Sequence, residues 1–108
     1  MAGTSVLVTT SQDQPKVQRH ATIINKACHK YTVYSYNEDD RVFLISKQRR
    51  DINPGESVSL NATGRSGIQM EVNKHKKCLL RFFAKDGYSY EISGTETHVT
   101  IDCKSNDG

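Results

Sequence analysis

The sequence predicts an all-β protein, a small single-domain antiparallel β-sandwich of about eight strands. Short blocks rich in Val, Ile, Tyr and Phe recur along the chain, and clusters of Gly, Pro, Asn and Asp separate them. No window of about twelve residues carries the apolar stripe of an amphipathic helix. A chain of 108 residues is long enough for one modest core between two β-layers. The apolar fraction, 35%, is low, so that core should be thin and built from strands.

In chain order, residues 1–18 include Thr9-Thr10-Ser11-Gln12-Asp13-Gln14-Pro15, have little to bury, and read as a flexible leader in which Val6-Leu7-Val8 could add an edge strand. The sandwich domain is expected over 19–103 and a flexible tail over 104–108. Strands are expected over 21–25, 31–36, 42–45, 57–62, 68–72, 78–84, 88–92 and 98–102. Turn residues lie between them: Asn37-Glu38-Asp39-Asp40, Asn53-Pro54-Gly55-Glu56, Thr63-Gly64-Arg65-Ser66-Gly67, Lys85-Asp86-Gly87 and Ser93-Gly94-Thr95-Glu96. Lys85-Asp86-Gly87, between two aromatic-rich blocks, reads as a hairpin, and so does Gly64-Arg65-Ser66-Gly67.

Period-two alternation assigns the inward side chains. Val58, Leu60 and Ala62 alternate with Ser57, Ser59 and Asn61, and Ile68, Met70 and Val72 with Gln69 and Glu71. Tyr88, Tyr90 and Ile92 alternate with Ser89 and Glu91, and Val99 and Ile101 with Thr100 and Asp102. Cys78, Leu80, Phe82 and Ala84 form the inward set of the longest strand, with Arg81 outward. Tyr34 and Tyr36 share one face of their strand and Tyr31 and Val33 the other; taking the Val33 face as core leaves Tyr34 and Tyr36 exposed.

Fifteen basic residues against twelve acidic ones give a net charge of +3. Both signs are interspersed, which permits nucleic-acid binding without implying it. A basic segment followed by an apolar one, the mark of a secretory signal, does not open the chain. Nor does any run approach the roughly 20 apolar residues of a membrane-spanning helix. The expectation is a soluble protein, cytoplasmic or released without a classical signal. Cys28, Cys78 and Cys103 cannot all pair within one chain, and reduced thiols are expected.

Thr22-Ile23-Ile24-Asn25-Lys26-Ala27-Cys28, then Tyr31-Thr32-Val33-Tyr34, then Ile52-Asn53-Pro54-Gly55-Glu56-Ser57 follow one another in an order that resembles the opening of thaumatin-like proteins. A similar opening occurs in aegerolysins, small β-sandwiches that bind membrane lipids. The resemblance covers roughly residues 21–60 and implies a sandwich; an aegerolysin-like reading would imply lipid contact. The cysteine framework and acidic cleft of thaumatin-like proteins have no counterpart here, and no functional residue is carried over.

Among chemical constellations, no Gly-x-Ser-x-Gly elbow is present. A thiolate nucleophile at Cys78 with His29 or His98 would need an electropositive, partly exposed site. Cys28-His29, His75, Cys78, His20, His98 and Cys103 supply zinc-type ligands without zinc-site spacing, and Glu38-Asp39-Asp40 supplies oxygen ligands without an EF-hand pattern. No enzyme, metal or cofactor is therefore expected. Two basic clusters, Lys47-Gln48-Arg49-Arg50 and Lys74-His75-Lys76-Lys77, read as loops; their Lys47, Arg49, Arg50, Lys74, Lys76 and Lys77 are candidate anion contacts. Tyrosine combines a flat apolar face with a polar tip, which suits sugars and head groups.

The reading is thus a non-enzymatic binding module for a carbohydrate or lipid head group, contacted by Tyr34, Tyr36, Asn37, Asp39, Asp40 and Arg41. Peripheral membrane contact and self-association fit it. A protein-interaction or structural β-domain is the alternative, with a binder of anionic polymers, nucleic acid included, behind it.

Overall fold

The computed structural model describes residues 15–38 and 46–104. Among them are eight strands and no helix: β1 (Val17–Asn25), β2 (Tyr31–Tyr36), β3 (Gln48–Ile52), β4 (Ser57–Gly64), β5 (Gly67–Lys74), β6 (Lys77–Lys85), β7 (Ser89–Gly94) and β8 (Val99–Lys104). They form the sandwich the sequence predicts, as two four-stranded sheets ordered β4-β1-β7-β8 and β3-β2-β5-β6. Neighbours are antiparallel except β1 and β7, which run parallel.

The alternation of the sequence builds the core. Ala21, Ile23, Leu60, Tyr90 and Ile92 of the first sheet meet Tyr31, Val33, Ile52, Ile68, Met70, Val72 and Ala84 of the second, all buried. Each large aliphatic side chain buried in this way stabilises the fold by about 1.5–3 kcal/mol. Asn25, fully buried where β1 ends, has every polar atom bonded. Its Nδ2 donates to the carbonyls of His29 and Ile52 at 2.7 and 2.9 Å, and its Oδ1 accepts from the Ala27 amide at 2.9 Å. That one side chain ties the end of β1 to the β1–β2 connection and to the end of β3.

The strand expected over 42–45 and the Val6-Leu7-Val8 strand lie outside the described residues. Other expectations need correction. The cluster read as a basic loop, Gln48-Arg49-Arg50, is instead strand β3, at an edge with only Ile52 buried, where charged side chains protect an open strand. In the second cluster Lys74 closes β5 and Lys77 opens β6, leaving His75 and Lys76 as the turn. β1 already begins at Val17 and β8 runs to Lys104.

The two expected hairpins are crossings between sheets. Gly64 to Gly67 leads from β4 to β5, and Lys85-Asp86-Gly87 from β6 to β7. These turns lie side by side, the Asp86 amide donating to the Ser66 carbonyl at 3.0 Å. Turn chemistry specifies that the chain reverses; whether the next strand pairs with the last or joins the opposite layer is decided by packing. Tight hairpins join β7 to β8 and β5 to β6, and the central residues of the latter, His75 and Lys76, have φ of 54° and 63°. A left-handed conformation costs a non-glycine residue about 1 kcal/mol.

Cys78 is exposed rather than inward. The pairing slips between Val72, opposite Leu80, and Asn73, opposite Cys78, so Leu79 is the extra residue of a bulge. The bulge reverses the facing of everything before it on β6.

Candidate functional site

The outer face of β3-β2-β5-β6 carries the densest chemistry in the domain. Register sets its outward side chains in rows across the strands. Asp51, Thr32, Asn73 and Cys78 form one row; Arg49, Tyr34, Glu71 and Arg81 the next; Tyr36, Gln69 and Phe83 the third. Neighbouring strands stand about 4.8 Å apart, so the middle row spans roughly 15 Å.

Glu71 is the hub. It is only 7% exposed, and a buried carboxylate must be paired and hydrogen-bonded. Arg81 Nε donates to its Oε2 at 2.7 Å, while Asn73 Nδ2 at 2.9 Å and the Tyr36 hydroxyl at 3.3 Å donate to its Oε1. Burial pushes the Glu71 carboxyl up, but the bonds from Asn73, Arg81 and Cys78 outweigh it and leave the group below its ordinary value. The same arrangement acts on its neighbours. Burial and then the Glu71 charge push the Tyr36 phenol up to about 12, and burial with the Glu71 bond pushes the Cys78 thiol up. Around neutral pH the hub is one carboxylate, one guanidinium and a neutral phenol, already oriented.

Ring surfaces border it. Tyr34 and Tyr36 stack with centroids 6.4 Å apart and planes at 27°. Phe83, beyond Gln69, is 42% exposed, and the Arg81 and Arg49 side chains are more than half exposed. Gln69 donates from its Nε2 to the Glu38 carbonyl at 2.7 Å.

The sequence-predicted residues divide accordingly. Tyr34 is half-buried on this face, but Tyr36, expected to be exposed, is 4% exposed and supports Glu71. Asp39, Asp40 and Arg41 lie outside the described residues. Asn37 lies round the edge, where a polar cavity of about 360 Å³ is lined by Gln18, Asn37, Lys47, Gln48, Asn61 and Thr63 beside Ala62. Its amides are partly engaged: Asn37 Oδ1 accepts from the Thr63 amide and Gln48 Oε1 from that of Asn61. Glu38 turns into the β4–β5 crossing, its Oε1 accepting from the amides of Arg65, Ser66 and Gly67.

The basic clusters do not converge. Arg49 and Arg50 lie on the edge strand β3 opposite Tyr34 and Val33 and Lys47 joins the cavity, whereas Lys74, Lys76 and Lys77 lie at the end of the sandwich. The zinc-type residues are scattered, and among the described residues no group of three or more His, Cys, Asp or Glu is placed to hold a metal ion. Glu71, Arg81, Asn73, Gln69 and Phe83 were missed in the sequence. Their period-two spacing on adjacent strands was the available signal, but only the pairing of β5 with β2 and β6 brings them under the tyrosines.

No family model matches the chain, and no curated protein does. Among solved structures, one titled "Trapped Toxin" aligns at 15% identity and a TM-score of 0.47, over 83% of this chain and 23% of the other. The human-specific toxin intermedilysin aligns at 14% identity and a TM-score of 0.39, over 82% and 23%. The chain thus spans about a quarter of the length of these structures, and likenesses this loose say nothing of what it binds.

Proposed function

We propose that the domain is a non-catalytic recognition module that binds a carbohydrate across the Tyr34–Glu71–Arg81 row. The observation that carries this reading is the buried Glu71 carboxylate, held by Arg81, Asn73 and Tyr36 under a border of exposed ring surface. The carboxylate itself is withdrawn from solvent, but it fixes the Arg81 side chain, 55% exposed, as an oriented donor beside the rings, and sugar hydroxyls need donors at fixed spacing. Tyr34 and Phe83 supply flat apolar faces for the C–H side of a pyranose ring. Arg81 and Arg49 add cationic donors, so acidic sugars are favoured over neutral ones. Tyr36 positions Glu71 and does not touch the ligand.

A glycan array followed by calorimetric titration of the best hit tests this. Tyr34→Ala and Phe83→Ala each weaken binding about tenfold or more, as truncation of an aromatic anchor does, while both variants keep the parent's cooperative unfolding in urea. Tyr36→Phe keeps most of the affinity. An array without hits, or affinity indifferent to Tyr34 and Phe83, sinks the reading.

A further inference from the structure

One end of the sandwich concentrates positive charge from segments far apart in sequence. Four connections meet there: 26–30 between β1 and β2, 53–56 between β3 and β4, the β5–β6 turn, and 95–98 between β7 and β8. Together with the flanking Lys74 and Lys77 they carry five lysines, Lys26, Lys30, Lys74, Lys76 and Lys77, against two glutamates, Glu56 and Glu96. Both glutamates are engaged: Glu56 Oε1 accepts from the Asn53 amide at 2.8 Å, and Glu96 lies 3.9 Å from His29. Lys74 joins the two basic connections, donating to the Lys30 carbonyl at 2.9 Å with its ammonium 5.8 Å from the centre of the Tyr31 ring. Among the described residues, Lys26, Lys76 and Lys77 have no carboxylate within ion-pair distance.

A second observation is independent of charge counting. The β5–β6 turn holds His75 and Lys76 in the left-handed conformation, where Asn and Gly are the favoured residues. The chain thus presents two basic side chains at its tip in a backbone conformation that other residues would hold with less strain, and strain of this kind clusters at functional positions.

We infer that this tip docks on the phosphate head groups of an anionic lipid bilayer. An end built of connections that carry five lysines suits a broad charged surface, and each lysine near such a surface raises the partition about fivefold. Nucleic acid fits less well, because single-strand binding uses a groove with exposed rings. The ring at this end, Tyr31, is 1% exposed and donates its hydroxyl to the Thr95 carbonyl at 2.6 Å. No large apolar side chain is exposed in these four connections, so the domain adsorbs without inserting. The tip shares no residue with the Tyr34–Glu71–Arg81 row, and either proposal can fail alone.

Co-sedimentation with vesicles of phosphatidylcholine, with and without phosphatidylserine, reads the docking. The full chain is expected to partition onto the serine-containing vesicles only, and raising salt from 0.1 to 1 M, which shortens the screening length from about 10 to 3 Å, releases it. The decisive variant is His75→Asn/Lys76→Gly, which installs the favoured turn. It should melt higher than the parent yet bind these vesicles about fivefold less, and adding Lys77→Ser takes the loss to about 25-fold. A loss of binding with a gain in stability cannot come from misfolding. Equal partition onto both vesicle types, undiminished binding by the variants, or refusal of vesicles with capture of a single-stranded RNA probe would each overturn the docking.

Discussion

The outer faces of the two sheets follow the same alternation to opposite ends. On β4-β1-β7-β8 the outward residues mix short polar side chains, such as Ser59, Thr22 and the Ser93–Thr100 pair at 2.8 Å, with Ile24 and a Lys104–Glu91 ion pair at 3.7 Å, and no described carboxylate among them is buried. On β3-β2-β5-β6 the same positions hold Tyr34, Tyr36, Glu71, Arg81 and Phe83 around a carboxylate withdrawn from solvent. A sheet needs only the first kind of surface in order to fold. The second takes a charge out of water, which is costly unless every bond is made, and its presence on one face alone marks that face as the candidate for function.

The largest test of this contrast is Glu71→Ala. It leaves Asn73 and Tyr36 without their acceptor, and unfolding in urea should show a loss of about 2–3 kcal/mol. If the pair serves recognition rather than stability, Glu71→Leu/Arg81→Met should recover most of that loss and still bind no sugar. A double variant as unstable as the single one would mean that the hub is a structural device.

Next in size is the pH response. The Glu71 carboxyl titrates below its ordinary value of 4.5 in the folded protein. Its contribution is therefore complete above that value and is lost as pH falls through the depressed folded one. Tyr36 acts at the other limit: with its pKa raised from 10.0 to about 12, its contribution is present below pH 10 and lost as pH rises towards 12. Melting temperatures across the pH range should fall at both ends, with Glu71→Gln flattening the acid limb and Tyr36→Phe the alkaline one. Unchanged limbs would place the titrating groups elsewhere.

How far this contrast could be read from sequence depends on whether a signal was local. Strict alternation located β2, β4 and β5 within a residue or two, and with them the inward Leu60, Ile68 and Met70. β3 escaped because an edge strand of Gln, Arg, Arg and Asp has no apolar alternation to show. Tyr34 was recognised as outward, but Glu71 looked like any wet-face residue, because its burial comes from Tyr36, Asn73 and Arg81 on three strands. The bulge at Leu79, which brings Cys78 to the same face, leaves no trace in a single sequence.

A smaller effect separates the strained tip from the rest of its sheet. His75→Asn/Lys76→Gly should raise stability by about 1 kcal/mol, since both residues then adopt their φ values of 54° and 63° with little strain. A fall in stability would show that the His75 and Lys76 side chains make contacts that outweigh the strain.

The smallest expected effect completes the comparison. Ser59 lies opposite Thr22 on the outer face of the other sheet, and it is exposed. Ser59→Ala should change stability by less than about 0.5 kcal/mol, because water replaces whatever the hydroxyl bonds and β4 keeps its ladder to β1. Its value lies in the pairing with Glu71→Ala: both substitutions remove an outward polar group from a four-stranded sheet in one domain, so alternation alone predicts equal costs. A Ser59→Ala loss near that of Glu71→Ala would make the two faces energetically alike and remove the reason for placing function on one of them. A gap of 2 kcal/mol or so between them would isolate what the buried carboxylate adds beyond an ordinary wet face.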